Sequence, residues 1–268
     1  MLTSLELCAG AGGQALGLEK ARFRHEALVE IDKHCCNTLR FNRPKWTVLE
    51  EDMRLFKERA DEYQGIDLLA GGLPCPPFSK AGKQLGQDDE RNLFDDAIDI
   101  VDAMRPRAIM IENVRGFLDA VFEDYRSHLK GQLKKLGYHS EPRLLNASDF
   151  GVPQLRPRVV IMAIEEGRTE HFEWPTPEKR KPKTVGQTLK GMMSANGWLG
   201  AEAWANQANE IAPTIVGGSK KHGGPDLGPT RARKAWASLG VEGRTIAPEA
   251  PASDHVGMPR LTVQMVAK

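Results

Sequence analysis

The chain has 268 residues, 40% hydrophobic and 27% charged, with a formal net charge of +1. That composition excludes a disordered or fibrous chain and leaves room for one substantial core plus a smaller domain. No apolar run is long enough to span a membrane, so no membrane partner is expected. Charge is unevenly spread: residues 165–268 hold 14 Lys and Arg against 11 Asp and Glu. A mildly basic C-terminal third permits a nucleic-acid partner without requiring one. Cys8, Cys35, Cys36 and Cys75 show no C-x-x-C spacing, and no basic-then-apolar leader precedes the first strand-like segment. Both features predict a reducing, cytoplasmic setting.

Residues 2–7 read as a buried strand. Cys8-Ala9-Gly10-Ala11-Gly12-Gly13 follows, and helical spacing then runs to about Phe23. A glycine-rich turn between strand and helix lets a ligand approach the backbone and aims the helix N-terminus at it. Gly10, Gly12 and Ala15 formally fit the dinucleotide fingerprint, which a tight structural turn would match as well. A second strand over 27–31 ends at Glu30, twenty residues after Gly10, where a carboxylate can accept from ribose hydroxyls. Ile31 follows it. A helix over 32–41 and a strand near 46–49 lead to Glu51-Asp52-Met53. Asp52 is placed either to take an adenine amino group or to cap the helix starting near Met53.

The run 66–70 reads as a fourth buried strand, stopped by Gly71-Gly72-Leu73-Pro74-Cys75-Pro76-Pro77-Phe78-Ser79. It leaves a lone thiol at the C-terminal edge of the sheet, where open α/β sheets bind ligands. Polar residues 80–91, with Gly82 and Gly86, have the composition of a lid or of a plain solvated loop. A helix over 92–104 and a strand over 107–111 lead into Glu112-Asn113-Val114, which sets a carboxylate on the same rim as Cys75. The pattern predicts a helix over 119–136, a strand over 138–146 and another over 159–164. Between these strands lies Gln154-Leu155-Arg156-Pro157-Arg158; if extended, it puts Arg156 and Arg158 on one face, suited to an anion or base. Alternating strands and helices predict an α/β fold with a doubly wound, mostly parallel sheet. Beyond 165 the texture turns to Gly, Pro, Trp and basic residues, so the expected domains are 1–165 and a smaller irregular region, 166–268.

The glycine turn, Pro74-Cys75, Glu112-Asn113-Val114 and Gln154-x-Arg156-x-Arg158 occur in one order over residues 2–164. In that combination the chain closely resembles the cytosine-C5 DNA methyltransferases. The resemblance implies a Rossmann-like S-adenosylmethionine-binding domain followed by a target-recognition region. It implies methyl transfer to C5 of cytosine in duplex DNA, with S-adenosylhomocysteine as product, no metal, and a place in the cytosol or nucleoid of a bacterial restriction-modification system. Cys75 would be the nucleophile that attacks C6 of a base flipped out of the duplex. Glu112 would hold or protonate ring N3, a role for which burial would keep it protonated. Arg156 and Arg158 would contact the base and its phosphate. Ser79, Asn113 and Gln154, in the same motifs, are expected at the substrate. Cys8, Ala9, Gly10, Gly12, Gly13, Glu30, Ile31, Asp52, Met53 and Pro74 are expected around the cofactor.

Two departures stand out. Cys8 and Ile31 occupy positions where the family commonly has aromatics. The chain also reaches Lys268 just after Arg260-x-Thr262, the start of the family's ninth motif, without the segment that closes the cofactor pocket. The expectation is a truncated product or one half of a split enzyme completed by another chain. Other readings stay open: an RNA cytosine methyltransferase, a non-catalytic DNA-binding paralogue, and an NAD-linked dehydrogenase suggested by the glycine turn alone.

Overall fold

The computed structural model describes residues 1–74, 93–216 and 226–268. Cys75, Ser79, the 80–91 segment and the glycine-lysine stretch 217–225 lie outside the described residues. The chain divides into two compact units. The first comprises 1–144 and 158–174, the second 145–157 and 175–268. The sequence places a single boundary near 165, whereas this division is discontinuous.

The first unit is built on a seven-stranded sheet ordered β3-β2-β1-β4-β5-β7-β6. The strands are β1 (Thr3–Leu7), β2 (Arg24–Glu30), β3 (Val48–Glu50), β4 (Leu68–Gly71), β5 (Ala108–Val114), β6 (Tyr138–Asn146) and β7 (Pro157–Glu165). β1 to β5 pair in parallel, and β7 runs antiparallel to β5. Chain order reverses between β1 and β4, which opens a crevice beyond the carboxyl ends of these strands. The expected doubly wound, mostly parallel sheet is therefore present.

Period-two alternation decides which face each residue takes. Leu5, Leu7, Leu69, Ile109, Ile111, Val159 and Ile161 share a buried cluster with α4 (Phe94–Met104) and α5 (Glu123–Lys135). On the other face, Leu28 packs with Ala15 of α1 (Gly13–Lys20) and Leu39 of α2 (Lys33–Asn42). The faces of β5 and β7 are unequal. Ile109, Ile111, Val159, Ile161 and Ala163 are buried, while Ala108, Met110, Val160, Met162 and Ile164 alternate with them and are only half-buried.

The helix expected over 119–136 is broken. Short 3₁₀ turns at Arg115–Leu118 and Ala120–Phe122 precede α5. Arg126 Nη1 donates to the Phe117 and Asp119 carbonyls at 2.6 and 2.9 Å, satisfying groups that a continuous helix would have bonded internally.

The second unit packs α6 (Val185–Met193), α7 (Ala201–Gln207), α8 (Thr230–Ser238) and α9 (Val263–Ala267) around Leu189, Met193, Trp204, Trp236 and Leu261. α6 starts at a capping box, with the Thr184 hydroxyl on Gln187 N and the Gln187 amide oxygen on Thr184 N. It approaches α7 so closely that a Cβ on Gly186 would sit 2.0 Å from the Ala205 carbonyl oxygen. Residues 145–157 join this unit through long-range backbone bonds, Leu155 N to Ala212 O at 2.7 Å and Glu178 N to Asp149 O at 2.7 Å.

Candidate active site

The crevice at the switch point has a volume of about 260 Å³. Cys8, Glu30, Ile31, Asp52, Met53 and Pro74 line it, together with Arg54, Glu51, Val29 and Leu93. Six residues picked from separate stretches of sequence thus meet around one space. They meet because strands end there: Cys8 follows β1, Glu30 closes β2, Asp52 follows β3 and Pro74 follows β4.

The glycine turn is shaped by two left-handed residues, Gly10 at φ +55° and Gly12 at φ +88°. Gly12 also has no room for a side chain, since a Cβ would lie 2.5 Å from Leu39 Cδ2. Gly13 opens α1, and Ala9 is buried behind the turn, its N–H donating to Val29 O at 3.1 Å. Glu30 is 8% exposed. Its Oε2 accepts from Gly10 N at 2.6 Å and its Oε1 from Asp32 N at 2.8 Å. The carboxylate is therefore fixed by the backbone on both sides, with lone pairs left on each oxygen.

Asp52 is the N-cap of α3 (Met53–Phe56), accepting from Arg54 N at 2.9 Å, so the capping alternative is realised. Its carboxylate also receives the Arg54 guanidinium, Nη2 to Oδ2 at 2.5 Å. The Arg54 hydrogen bond holds Asp52 below the usual carboxylate range. Cys8 has φ +52° and points its thiol at Met53 Sδ, 3.7 Å away. Burial pushes this thiol up to about 12, and the charges of Glu30, Asp52 and Glu6 add to the effect. Cys8 is thus an unreactive, polarisable wall. Ile31 is 66% exposed and gives the crevice an apolar rim.

Glu30, Glu51 and Asp52 make the crevice an acceptor site. Asp52 is paired with Arg54 and Glu51 with Arg59, while Glu30 is held by backbone N–H groups, so the crevice offers oriented acceptors suited to hydroxyls and an amine. That chemistry fits the nucleoside part of S-adenosylmethionine.

The rim beyond β5 carries the second group. Glu112 and Arg158 lie on one face of the antiparallel β5–β7 pair, and Arg158 Nε donates to Glu112 Oε1 at 2.6 Å. Glu112 is half-buried, its side chain 36% exposed. Asn113 points to the opposite face. It is 2% exposed, and its Nδ2 donates to Leu73 O at 3.1 Å, clasping the backbone just ahead of Pro74. The amide thus binds backbone and faces away from the rim that Glu112 occupies.

Arg156 and Arg158 fall in different units. Arg158 is in β7 on Glu112, and Arg156 precedes β7, with its N–H on Asn146 Oδ1 at 3.0 Å and its Nη1 3.4 Å from Ile215 O. Gln154 Oε1 accepts from Ile215 N at 3.2 Å within the second unit.

Sequence reasoning did not single out Arg54 or Glu6. Glu6 is 1% exposed in β1, Oε2 has no partner, and burial raises its carboxyl to about 8. A lone acid inside an apolar strand was the available signal. Among the described residues, no group of three or more His, Cys, Asp or Glu is arranged to hold a metal, and no helix is long and apolar enough to cross a membrane.

A doubly wound sheet with an acid-lined crevice at its switch point defines a Rossmann-like α/β protein. Comparison with known proteins narrows the class. A sequence model of the C-5 cytosine-specific DNA methylases matches residues 2–240, and the chain belongs to that family. It is 54% identical to the Type II methyltransferase M.NaeI of Lentzea aerocolonigenes, over 100% of this chain and 65% of that protein. It is 52% identical to the Type II methyltransferase M.NgoMIV of Neisseria gonorrhoeae, over 99% of this chain and 85% of that one. Against M.NaeI, then, the chain spans just under two thirds of the relative's length. A crystal structure of a Spodoptera frugiperda DNMT2 mutant superposes with a TM-score of 0.61 at 18% identity, covering 96% of this chain and 92% of the other, and shares the fold.

Proposed function

We propose that this chain carries the catalytic and target-contacting parts of a restriction-modification DNA methyltransferase that methylates C5 of cytosine in duplex DNA. The observation that carries the reading is the convergence of the glycine turn, Glu30 and Asp52 on one acid-lined crevice. S-adenosylmethionine bound there supplies the methyl group that activated C5 attacks. Glu30 takes the ribose hydroxyls, Asp52 the adenine amine, and Ile31 and Met53 the apolar ring faces.

The residue types follow from the chemistry. Cytosine C5 is a poor carbon nucleophile until something adds at C6. The Cys75 thiolate adds there, and the displaced electron pair moves through the ring toward N3, which Glu112 would hold or protonate. After methyl transfer, loss of the C5 proton returns electrons to the ring and expels Cys75. Arg158 holds Glu112 in place before the base arrives. Asn113 fixes the backbone that leads to Cys75. The target base leaves the duplex at a cost of a few kcal/mol, about that of unstacking one pair. In the second unit, Arg231 and Lys234 on α8 are exposed on one side, with Trp236 buried on the other. They suit phosphate contacts, which position a duplex without reading it.

A duplex pool carrying 5-fluorocytosine, with S-adenosylmethionine, tests the reading. Fluorine cannot leave C5 as a proton does, so a covalent protein–DNA adduct forms with wild type and none with Cys75→Ala. An adduct on RNA alone would move the reading to an RNA enzyme. No adduct on either, with or without a separately expressed C-terminal segment of a longer relative, would reduce the chain to a binding protein.

A further inference from the structure

Arg54 is bound to Asp52 more closely than capping requires. The cap itself is the backbone bond from Arg54 N to Asp52 Oδ1 at 2.9 Å. The side chain adds a fork: Nε lies 3.1 Å from Oδ1 and 3.0 Å from Oδ2, and Nη2 lies 2.5 Å from Oδ2. A planar guanidinium against a planar carboxylate fixes the rotation of the acid, which a point charge would not do. Asp52 lines the crevice and is 19% exposed at its side chain, while Arg54 is 48% exposed at the rim.

We propose that Arg54 is a positioning residue that locks Asp52 as an oriented hydrogen-bond acceptor, so that the crevice selects a purine bearing a 6-amino group over one bearing a 6-oxo group. The proposal rests on the reading of the crevice as the S-adenosylmethionine site. Three Arg54 N–H groups spread over the two oxygens, with Nε–H shared between both, hold the carboxylate so that an incoming group meets acceptors and no donor. The amino group of adenine donates to them. The oxygen of a 6-oxopurine is an acceptor and meets a second acceptor that cannot turn away. A site built to pair with a substrate N–H rejects the analogue lacking it far more strongly than an apolar pocket rejects a change of shape.

The fork is not needed for folding. It is a half-exposed ion pair, a class worth little to stability, and the backbone cap survives its removal. Arg54→Ala and Arg54→Lys therefore unfold at the same urea concentration as wild type.

The test is calorimetric binding of S-adenosylhomocysteine and S-inosylhomocysteine to wild type, Arg54→Ala, Arg54→Lys and Asp52→Asn. Wild type is expected to prefer the adenosyl ligand by about a hundredfold or more. In Arg54→Ala the preference falls at least tenfold, because the freed carboxylate rotates. Arg54→Lys restores the charge without the planar fork and stays close to Arg54→Ala. Asp52→Asn, which can present either an acceptor or a donor, loses the preference as well. Wild-type preference retained in Arg54→Ala would overturn the role of Arg54 alone. Wild-type protein that binds neither ligand would overturn the cofactor reading and this proposal with it.

Discussion

Replacing Gly12 with alanine puts the glycine turn under the most direct strain. Two costs are visible in the structure. The residue has φ +88° and ψ 24°, the left-handed region that costs an L-residue about 1–2 kcal/mol. The new methyl would also lie 2.5 Å from Leu39 Cδ2 and 3.5 Å from Trp46, in a cluster already filled by Ala9, Ala15 and Leu28. Overpacking of this kind costs about 1–3 kcal/mol. Stiffening of the unfolded chain returns about 0.4–1 kcal/mol. The net loss is about 1–4.6 kcal/mol, and it falls on the first unit. With two units, a single melting temperature would blur it. Native-state hydrogen exchange, read on peptides spanning residues 5–40, isolates it. Gly13→Ala is the control, since that site has nothing within 4 Å of a Cβ and no positive φ. Alanine there should be neutral or slightly stabilising, as expected inside a helix. Equal protection in the two variants would refute the steric account of the turn.

Glu30→Gln keeps the shape but can accept only at its single carbonyl oxygen, while Gly10 N and Asp32 N both point at the side chain. Losing one charged hydrogen bond costs about 1.5–3 kcal/mol, so S-adenosylhomocysteine should bind roughly ten- to a hundredfold more weakly by calorimetry. Asn113→Ala strands the Leu73 carbonyl and should lower the rate of adduct formation on 5-fluorocytosine DNA while leaving cofactor affinity within about twofold of wild type. Glu112→Gln should slow single-turnover methyl transfer by about 10²–10⁴. Glu6 gives a pH signature. Its folded pKa, about 8, lies above the ordinary value of 4.5, so the folded state holds the extra proton between these values and stability falls as pH rises through that window. Glu6→Gln should therefore raise the urea midpoint at pH 8.5 and leave it nearly unchanged at pH 4.5. His25 has the opposite sign. Its ring, bonded to Ser4 Oγ and Ala15 O at 2.9 Å, has its pKa lowered by burial, so stability should drop as pH falls below the ordinary histidine value of 6.5, and less so in His25→Gln.

The crevice was readable because each of its residues ends a strand, and strand ends are what Gly, Pro and alternating apolar runs mark. Glu30 and Asp52 are found that way without any knowledge of the fold. What surrounds them was not readable. Nothing local distinguishes Arg54 from any arginine in a first helical turn, and its meaning depends on a rotamer. Asn113 was grouped with Glu112 by adjacency, yet the pleat sends neighbours to opposite faces, one to the rim and one to the Leu73 backbone. The break before α5 was missed because its cause, Arg126 on two carbonyls, is a tertiary contact inside an otherwise helical pattern. The spacing of Arg156 and Arg158 does not reveal that residues 145–157 take their partners from 178 and 212–215, a pairing that no window of sequence contains.

That last pairing constrains how the protein can be made. A ribosome finishes the first unit's own residues at 174, but the 145–157 stretch, made earlier, then has none of its second-unit partners at 212–215. Its partners at Ala212 and Ile215 follow about sixty residues later, a wait of roughly 3–12 s at bacterial elongation speeds of about 5–20 residues per second. During that interval β7, which must slot between β5 and β6, is tethered at its leading end to a segment that lacks those partners and carries Val152 and Leu155. Slower translation across 175–215 should therefore lengthen exposure of this segment to chaperones and proteases, and synonymous codon choice there becomes a determinant of yield.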